Sequence, residues 1–254
     1  MNTLGSCIFC SAVGPFERDE HPIPESLGND DLVLPRGLVC DICNQYFGVK
    51  IENPVLSSPP FSVERTAAAI RTKKGRFSSH KDSQVRLFST GCWGRVILAT
   101  DSESSLPIIS SPDGSGILIV APPVKYDELL GRFLLKMGIE LLSTTVTEVR
   151  SPRFDNARQY ARFGRSKQKW EIAYGLYPDR RDLLISTRED DLGPLETRQI
   201  YRFGMGEMAD GRIIFSFMFI THVFAICLSD ERLGSYTEEF NRMNGFSLVS
   251  NLKE

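Results

Sequence analysis

CIFC at residues 7–10 and CDIC at residues 40–43 are one device written twice, with 29 residues between the two copies. Two residues between cysteines let both sulfurs turn towards one ion. Two such knuckles make a closed tetrahedral site of four thiolates, which suits Zn²⁺ and leaves no open position for catalysis. The spacing predicts a structural zinc held by Cys7, Cys10, Cys40 and Cys43. The interval is longer than in a simple zinc ribbon, so a further segment is held between the knuckles. A redox pair would sit in a strand–helix–strand pattern, which the flanks lack. Cys92 and Cys227, in apolar strand-like surroundings, read as plain core residues.

Working outward, the first 54 residues are rich in Gly, Pro, Asp and Cys and poor in long apolar runs. Such a piece cannot bury enough surface to fold unaided, and bound zinc supplies the staple. The expected fold class is α+β: a zinc-stapled module over residues 1–54, then a larger α+β domain over residues 55–254. NPVLSSPPFS, residues 53–62, reads as a linker. Ser62 is placed to cap a helix running to about Lys74, ended by Gly75. Strands are expected at Val85–Ser89, Arg95–Ala99 and Ile117–Val120. KYDELLGRFLLKMGIELL is the clearest helix: Leu130, Phe133, Leu134, Met137 and Leu141 recur at helical spacing, with charged residues on the other side. A second helix is expected at Arg153–Phe163. The last third reads as strands at Leu183–Thr187, Thr197–Phe203 and from Ile213 onward, after the turn signal Asp210-Gly211.

The composition, 41% hydrophobic and 24% charged with a net charge of -2, is that of an ordinary soluble chain and neither suggests nor excludes a polyanionic partner. MNTLGSC shows no basic or apolar leader. The longest apolar run, Ile213–Leu228, is interrupted by Ser216, Thr221 and His222 and falls short of the ~20 residues that cross a bilayer. No membrane partner and a cytoplasmic location are therefore expected.

Between the knuckles lies DEHPIPESLGN, residues 19–29, and Asn44 directly follows the last cysteine. EHPIPESLGN with VCDICNQYFG and IENPVL resembles the zinc-stapled branch of the HNH endonucleases, the ββα-metal fold, whose members carry EHxIPxxLG and CxxCNxxFG stretches. The likeness covers residues 7–55. It implies a hairpin whose first strand ends at His21, a following helix that carries Asn44, and a divalent cation between them. The implied activity is hydrolysis of nucleic-acid phosphodiester bonds, DNA before RNA, in bacterial defence or a mobile element. In these roles His21 is the base, since an imidazole with a pKa of about 6.5 is largely neutral at pH 7. Glu20 and Asn44 supply the oxygens that Mg²⁺ or Mn²⁺ prefers. Pro22 biases His21 away from the helical region. One departure stands out. Where many members place a middle Asn five residues before the third cysteine, this chain has Pro35; Asn29 or Asp30-Asp31 are candidates to replace it. The alternative is a catalytically inactive zinc module that binds DNA or a protein.

Residues 1–54 carry three basic residues against eight acids. Phosphates would be repelled there, so affinity must come from elsewhere. Two basic stretches offer it: residues 64–86, with Arg71, Lys73 and Lys74, and residues 150–170, where Arg158, Arg162 and Arg165 fall on one helical stripe. Phe163 and Trp170 are candidates to stack on bases; a solvated helix face with aromatic core behind it is the other reading. His80 reads as exposed in a polar loop and His222 as a strand residue of the core. RFLLKMGIELL, RFDNARQYAR and FITHVFAI are similar to the segment after the nuclease module in many bacterial HNH proteins, a likeness that implies no defined activity.

Overall fold

The computed structural model describes residues 5–72, 74–81, 85–100, 108–110, 116–118, 127–145, 147–166, 168–176, 200–238 and 246–248. Helices and antiparallel sheets share the chain, as an α+β fold requires. The N-terminal part begins with a two-residue ladder, β1 (Gly5–Ser6) on β2 (Val13–Gly14). Helix α1 (Asp41–Phe47) runs through a wide π-helical turn at Gly48–Glu52 into α2 (Asn53–Leu56). The wide turn has a local cause: Pro54 has no N–H to give to the carbonyl four residues back.

The stretch expected as a linker is therefore helical and packed. Val55, Leu56, Ser58 and Pro60 are buried, because proline is tolerated in a first helical turn and the apolar pair behind it finds the core. Helix α3 (Phe61–Ala67) is shorter than expected and begins one residue before Ser62. Ala69 has a φ of 53°, which breaks the helix well before Lys74. Gly75 instead makes a tight turn, closed by a bridge between Arg71 and Phe77.

A three-stranded sheet follows: β3 (Ser79–Lys81), β4 (Val85–Ser89) and β5 (Val96–Thr100) in that order. Strands β6 (Ile108–Ser110) and β7 (Gly116–Leu118) form a separate hairpin. The main sheet has the order β12-β8-β11-β10-β9, all antiparallel, from β8 (Ile172–Leu176), β9 (Tyr201–Glu207), β10 (Ile213–Phe219), β11 (His222–Cys227) and β12 (Phe246–Leu248). The turn at Asp210-Gly211 falls between β9 and β10, with Gly211 at a φ of 84°. The strand expected at Leu183–Thr187 lies outside the described residues.

Helix α4 (Asp127–Thr145) lies on β10 and β11, and α5 (Asp155–Phe163) lies on α4. Gly138 lets α4 lie flat on the sheet, for a Cβ there would stand 2.6 Å from Leu228 and 3.0 Å from Phe215. Phe61 of α3 sits among Phe133, Phe219 and Phe224, with ring centroids 5.5–5.8 Å apart. Three residues on the charged side of α4 do not face solvent: Arg132, Lys136 and Glu140 are all buried. They face the N-terminal part, whose apolar residues join those of α4 and the main sheet in one continuous cluster. Among the described residues, no helix is long and apolar enough to cross a membrane.

Candidate functional site

The first knuckle turns because Ser11 takes a φ of 60° and its N–H reaches back to the Cys7 carbonyl at 3.0 Å. Cys40 caps α1, its sulfur accepting the Cys43 N–H at 3.4 Å. A backbone bond from Ile8 N–H to the Leu38 carbonyl, 2.8 Å, draws the two turns together. Gly5 permits this approach, since a Cβ there would collide with the Gly37 carbonyl oxygen. The result is a quartet, Cys7, Cys10, Cys40 and Cys43, with all four sulfurs within 4.8 Å of one another. A tetrahedron with arms of ~2.3 Å has edges of about 3.8 Å, so the quartet fits a metal ion and its all-sulfur chemistry fits zinc. The crowding shows in the thiols. A hydrogen bond from Cys43 brings Cys7 down to about 4, and the same contact pushes Cys43 well up.

Helix α5 braces this quartet from outside. Arg162 Nε donates to Cys43 Sγ at 3.2 Å, and its guanidinium lies 3.8 Å over the Tyr46 ring. Arg158 donates to the Ile8 carbonyl at 3.0 Å and pairs with Asp155. Two members of the arginine stripe thus turn inward to the knuckles, and Arg165 stays exposed. Trp170 is buried against Tyr160, with ring centroids 5.3 Å apart, and donates Nε1–H to the Cys227 carbonyl. It is closed to bases, because an indole with one N–H is best satisfied inside this corner. Phe163 remains exposed beside Arg162 and Arg165.

The loop with His21 is held between α1 and α4. Residues 15–40 contain no strand, only a 3-10 turn at Glu25–Leu27, so the implied hairpin is absent. Pro15, Pro22, Pro24 and Pro35 lack the N–H groups a ladder needs. One rung survives, from Leu34 N–H to the Glu20 carbonyl at 2.8 Å. Asp41, opening α1, accepts the N–H of Arg18 at 2.9 Å, and Asn44 Nδ2 donates to the Asp19 carbonyl at 3.0 Å. Asn29 is buried, donating to the carbonyls of Ile23 and Leu32 and accepting the Leu32 N–H. These bonds steady the loop. Asp30 and Asp31 are exposed.

His21 places Nε2 3.0 Å from Glu25 Oε1. Its Nδ1 is buried with no hydrogen-bond partner among the described residues. Glu20 is buried, so it is no solvated surface acid. Its Oε1 lies 2.7 Å from Lys136 Nζ, while Oε2 is buried with no hydrogen-bond partner among the described residues. Lys136 also meets Glu52 at 2.9 Å, Glu140 at 3.0 Å and the His21 carbonyl at 2.8 Å. An ammonium has three protons, and here four oxygens surround it. Burial holds the Glu140 carboxyl well above the usual range, against the pull of Lys136. Burial raises Glu20 as well, against the pull of Lys136. Glu20 and Asn44 are therefore engaged by different partners, one by α4 and one by the Asp19 carbonyl.

Sequence reading missed Glu25, whose signal was its position four residues after His21. It also missed Lys136, Glu52 and Glu140, which carry no local signal. Arg71 is exposed, stacked 4.3 Å from the Phe77 ring, and Lys74 is exposed; Lys73 lies outside the described residues. His80 is buried on β3, not exposed, because Ser62 Oγ meets its Nδ1 at 2.8 Å. His222 stands on β11 between Glu64 and Tyr174, at 2.9 and 2.8 Å. Cys227 is buried, whereas Cys92 is half-buried in the turn between β4 and β5. No protein-family model matches the chain, and neither a curated protein nor a solved structure matches it.

Proposed function

We propose that this chain is a metal-dependent HNH-type endonuclease that hydrolyses phosphodiester bonds, with DNA before RNA as substrate. The observation that carries this reading is a pair of buried, unpartnered atoms on consecutive residues, His21 Nδ1 and Glu20 Oε2. They belong to the two residues for which the HNH likeness implies a base and a cation ligand. In the neutral imidazole, Nε2–H donates a hydrogen bond to Glu25, which leaves the Nδ1 lone pair to take a proton from water. Glu25 also stabilises the imidazolium that forms. Glu20 Oε2 and the Asn44 side-chain oxygen are the hard donors suited to Mg²⁺ or Mn²⁺. Such an ion, when bound, stabilises charge on the phosphate and the leaving oxygen. Zinc at the four cysteines has a purely structural part.

One observation favours a second reading, a zinc module without catalysis that binds DNA or a protein. The Lys136 ammonium, 2.7 Å from Glu20, already neutralises the carboxylate a cation would need. Plasmid and single-stranded DNA, and RNA in parallel, incubated with Mg²⁺ or Mn²⁺ separate the two. Under the nuclease reading, wild type cuts and His21→Ala is slower by about 10²–10⁴-fold. Absent cleavage, or equal cleavage by both proteins, removes the enzyme and leaves the zinc module.

A further inference from the structure

A cleft of about 660 Å³ opens where α2 and α3 meet the Gly75 turn and the β3–β4 hairpin. This is the size of pockets that hold a small ligand. Arg65, Lys74 and Arg76 line it, together with several hydroxyls, and among the described residues no carboxylate stands in its wall. The backbone of the turn that carries the two rim cations is fixed in place. Thr72 N–H bonds the Arg76 carbonyl at 2.7 Å, Gly75 N–H bonds that of Thr72 at 2.8 Å, and Arg71 donates to that of Gly75 at 2.8 Å.

Two groups in the cleft are short of partners. Arg65 is half-buried, and its guanidinium donates to the carbonyls of Ser26 at 2.8 Å and Leu56 at 3.1 Å. It forms no ion pair among the described residues, so a charge taken partly out of water is answered by neutral oxygens alone. Ser78 is 6% exposed, and its hydroxyl has no hydrogen-bond partner among the described residues. An anion with several oxygens would remove both costs at once. Phe77 and Phe88 complete the wall. Arg71 occupies one face of Phe77, but Phe88 is 44% exposed on β4.

We infer that this cleft binds a single strand of nucleic acid, with a backbone phosphate held by Arg65, Lys74 and Arg76 and an unpaired base stacked on Phe88. The identity of the ligand rests on the nuclease reading; the positive charge of the cleft, the Arg65 guanidinium without an ion pair among the described residues and the Ser78 hydroxyl do not. A concave site with an aromatic ring in its wall can be used only by a base that has left its stack, which selects a strand over a duplex. The three cations of the cleft come from α3 and the Gly75 turn, outside the acidic first 54 residues, and so provide the affinity that part lacks.

The test is fluorescence anisotropy of a labelled oligo-dT strand with the full-length, zinc-loaded protein and no added Mg²⁺ or Mn²⁺. The doubly reversed variant Lys74→Glu/Arg76→Glu changes two exposed side chains. It is expected to keep its zinc and its thermal midpoint, weaken binding by more than about tenfold, and flatten the salt dependence of log K by about 1.4. Phe88→Ala is expected to weaken binding about tenfold with the salt dependence unchanged. Arg232→Glu, an exposed reversal outside the cleft lining and outside both basic stretches, serves as control and is expected to bind nearly as wild type. The inference is overturned if the wild type does not bind the strand or prefers duplex, or if the double variant loses no more than the control. Cleavage assayed in parallel keeps the two readings apart. Wild-type cleavage with unchanged strand binding in the double variant removes the cleft alone; cleft-dependent binding without wild-type cleavage removes the nuclease alone.

Discussion

Two charged centres hold the His21 loop, and they are built in opposite ways. On one side, four cysteines from two short turns converge within 4.8 Å. On the other, a single lysine from α4 gathers Glu20, Glu52 and Glu140 and the His21 carbonyl. The first centre is made of soft donors that a dication binds strongly enough to supply folding energy outright. The second holds hard charges away from water, where the cost of desolvation stands close to the Coulombic gain. A site of the first kind can order its own short segment. One of the second kind exists only once α4 has docked, and it makes the N-terminal part depend on the remainder of the chain.

The sharpest way to break this comparison is to remove the metal. Cys40→Ser, or treatment with a strong chelator, is expected to release zinc and unfold residues 5–56; structural zinc contributes roughly 10–16 kcal/mol in small domains. Metal analysis and circular dichroism read this, and zinc retained at about one per chain after the substitution would sink the four-cysteine site. Lys136→Met is expected to come next. It leaves carboxylates in an apolar interior without their cation, at a cost of about 3–5 kcal/mol in chemical denaturation. A loss as small as that of a surface mutation would mean that the ion cluster does not hold the loop.

Arg162 sharpens the difference between bracing the metal and contacting nucleic acid. Because it donates to Cys43 Sγ and lies over Tyr46, Arg162→Ala is expected to lower zinc affinity by about 10–100-fold in competition with a chelator. Unchanged zinc affinity with weakened strand binding would return this residue to the solvent-facing role its helical stripe suggested. The smallest effect concerns Glu140. Burial lifts its carboxyl above the ordinary value of 4.5, so the folded state holds a proton that the unfolded state has lost. Stability from this group is full below that value and declines as pH rises through the raised one. Glu140→Gln has no such proton to lose. Its thermal midpoint should fall less between pH 5 and pH 8, by about 2–4 °C relative to wild type. Parallel curves for the two proteins would show that Glu140 is ionised in the fold.

What was legible in the sequence followed the range of the interaction. The cysteine pairs, strand β4 and the turn at Gly211 were readable because a few adjacent residues fix them. Helix α4 was readable as a helix, but the direction of its charged side was not. Periodicity reports which residues share a face, and says nothing of what that face meets. The same blindness affected Arg158 and Arg162, whose stripe turned out to face the knuckles. It also affected His80, whose partner Ser62 comes from α3.

By itself, then, the sequence determined a four-cysteine centre and the residues around His21 to be weighed as chemistry, because ligand spacing and proline positions act locally. Only the tertiary structure decided that Glu20 would be buried beside Lys136 and that Asn29 would brace the loop. It alone also gathered Arg65, Ser78 and Phe88 into one cleft. Those outcomes depend on burial and on charges brought together from distant parts of the chain, and neither exists until the core has closed.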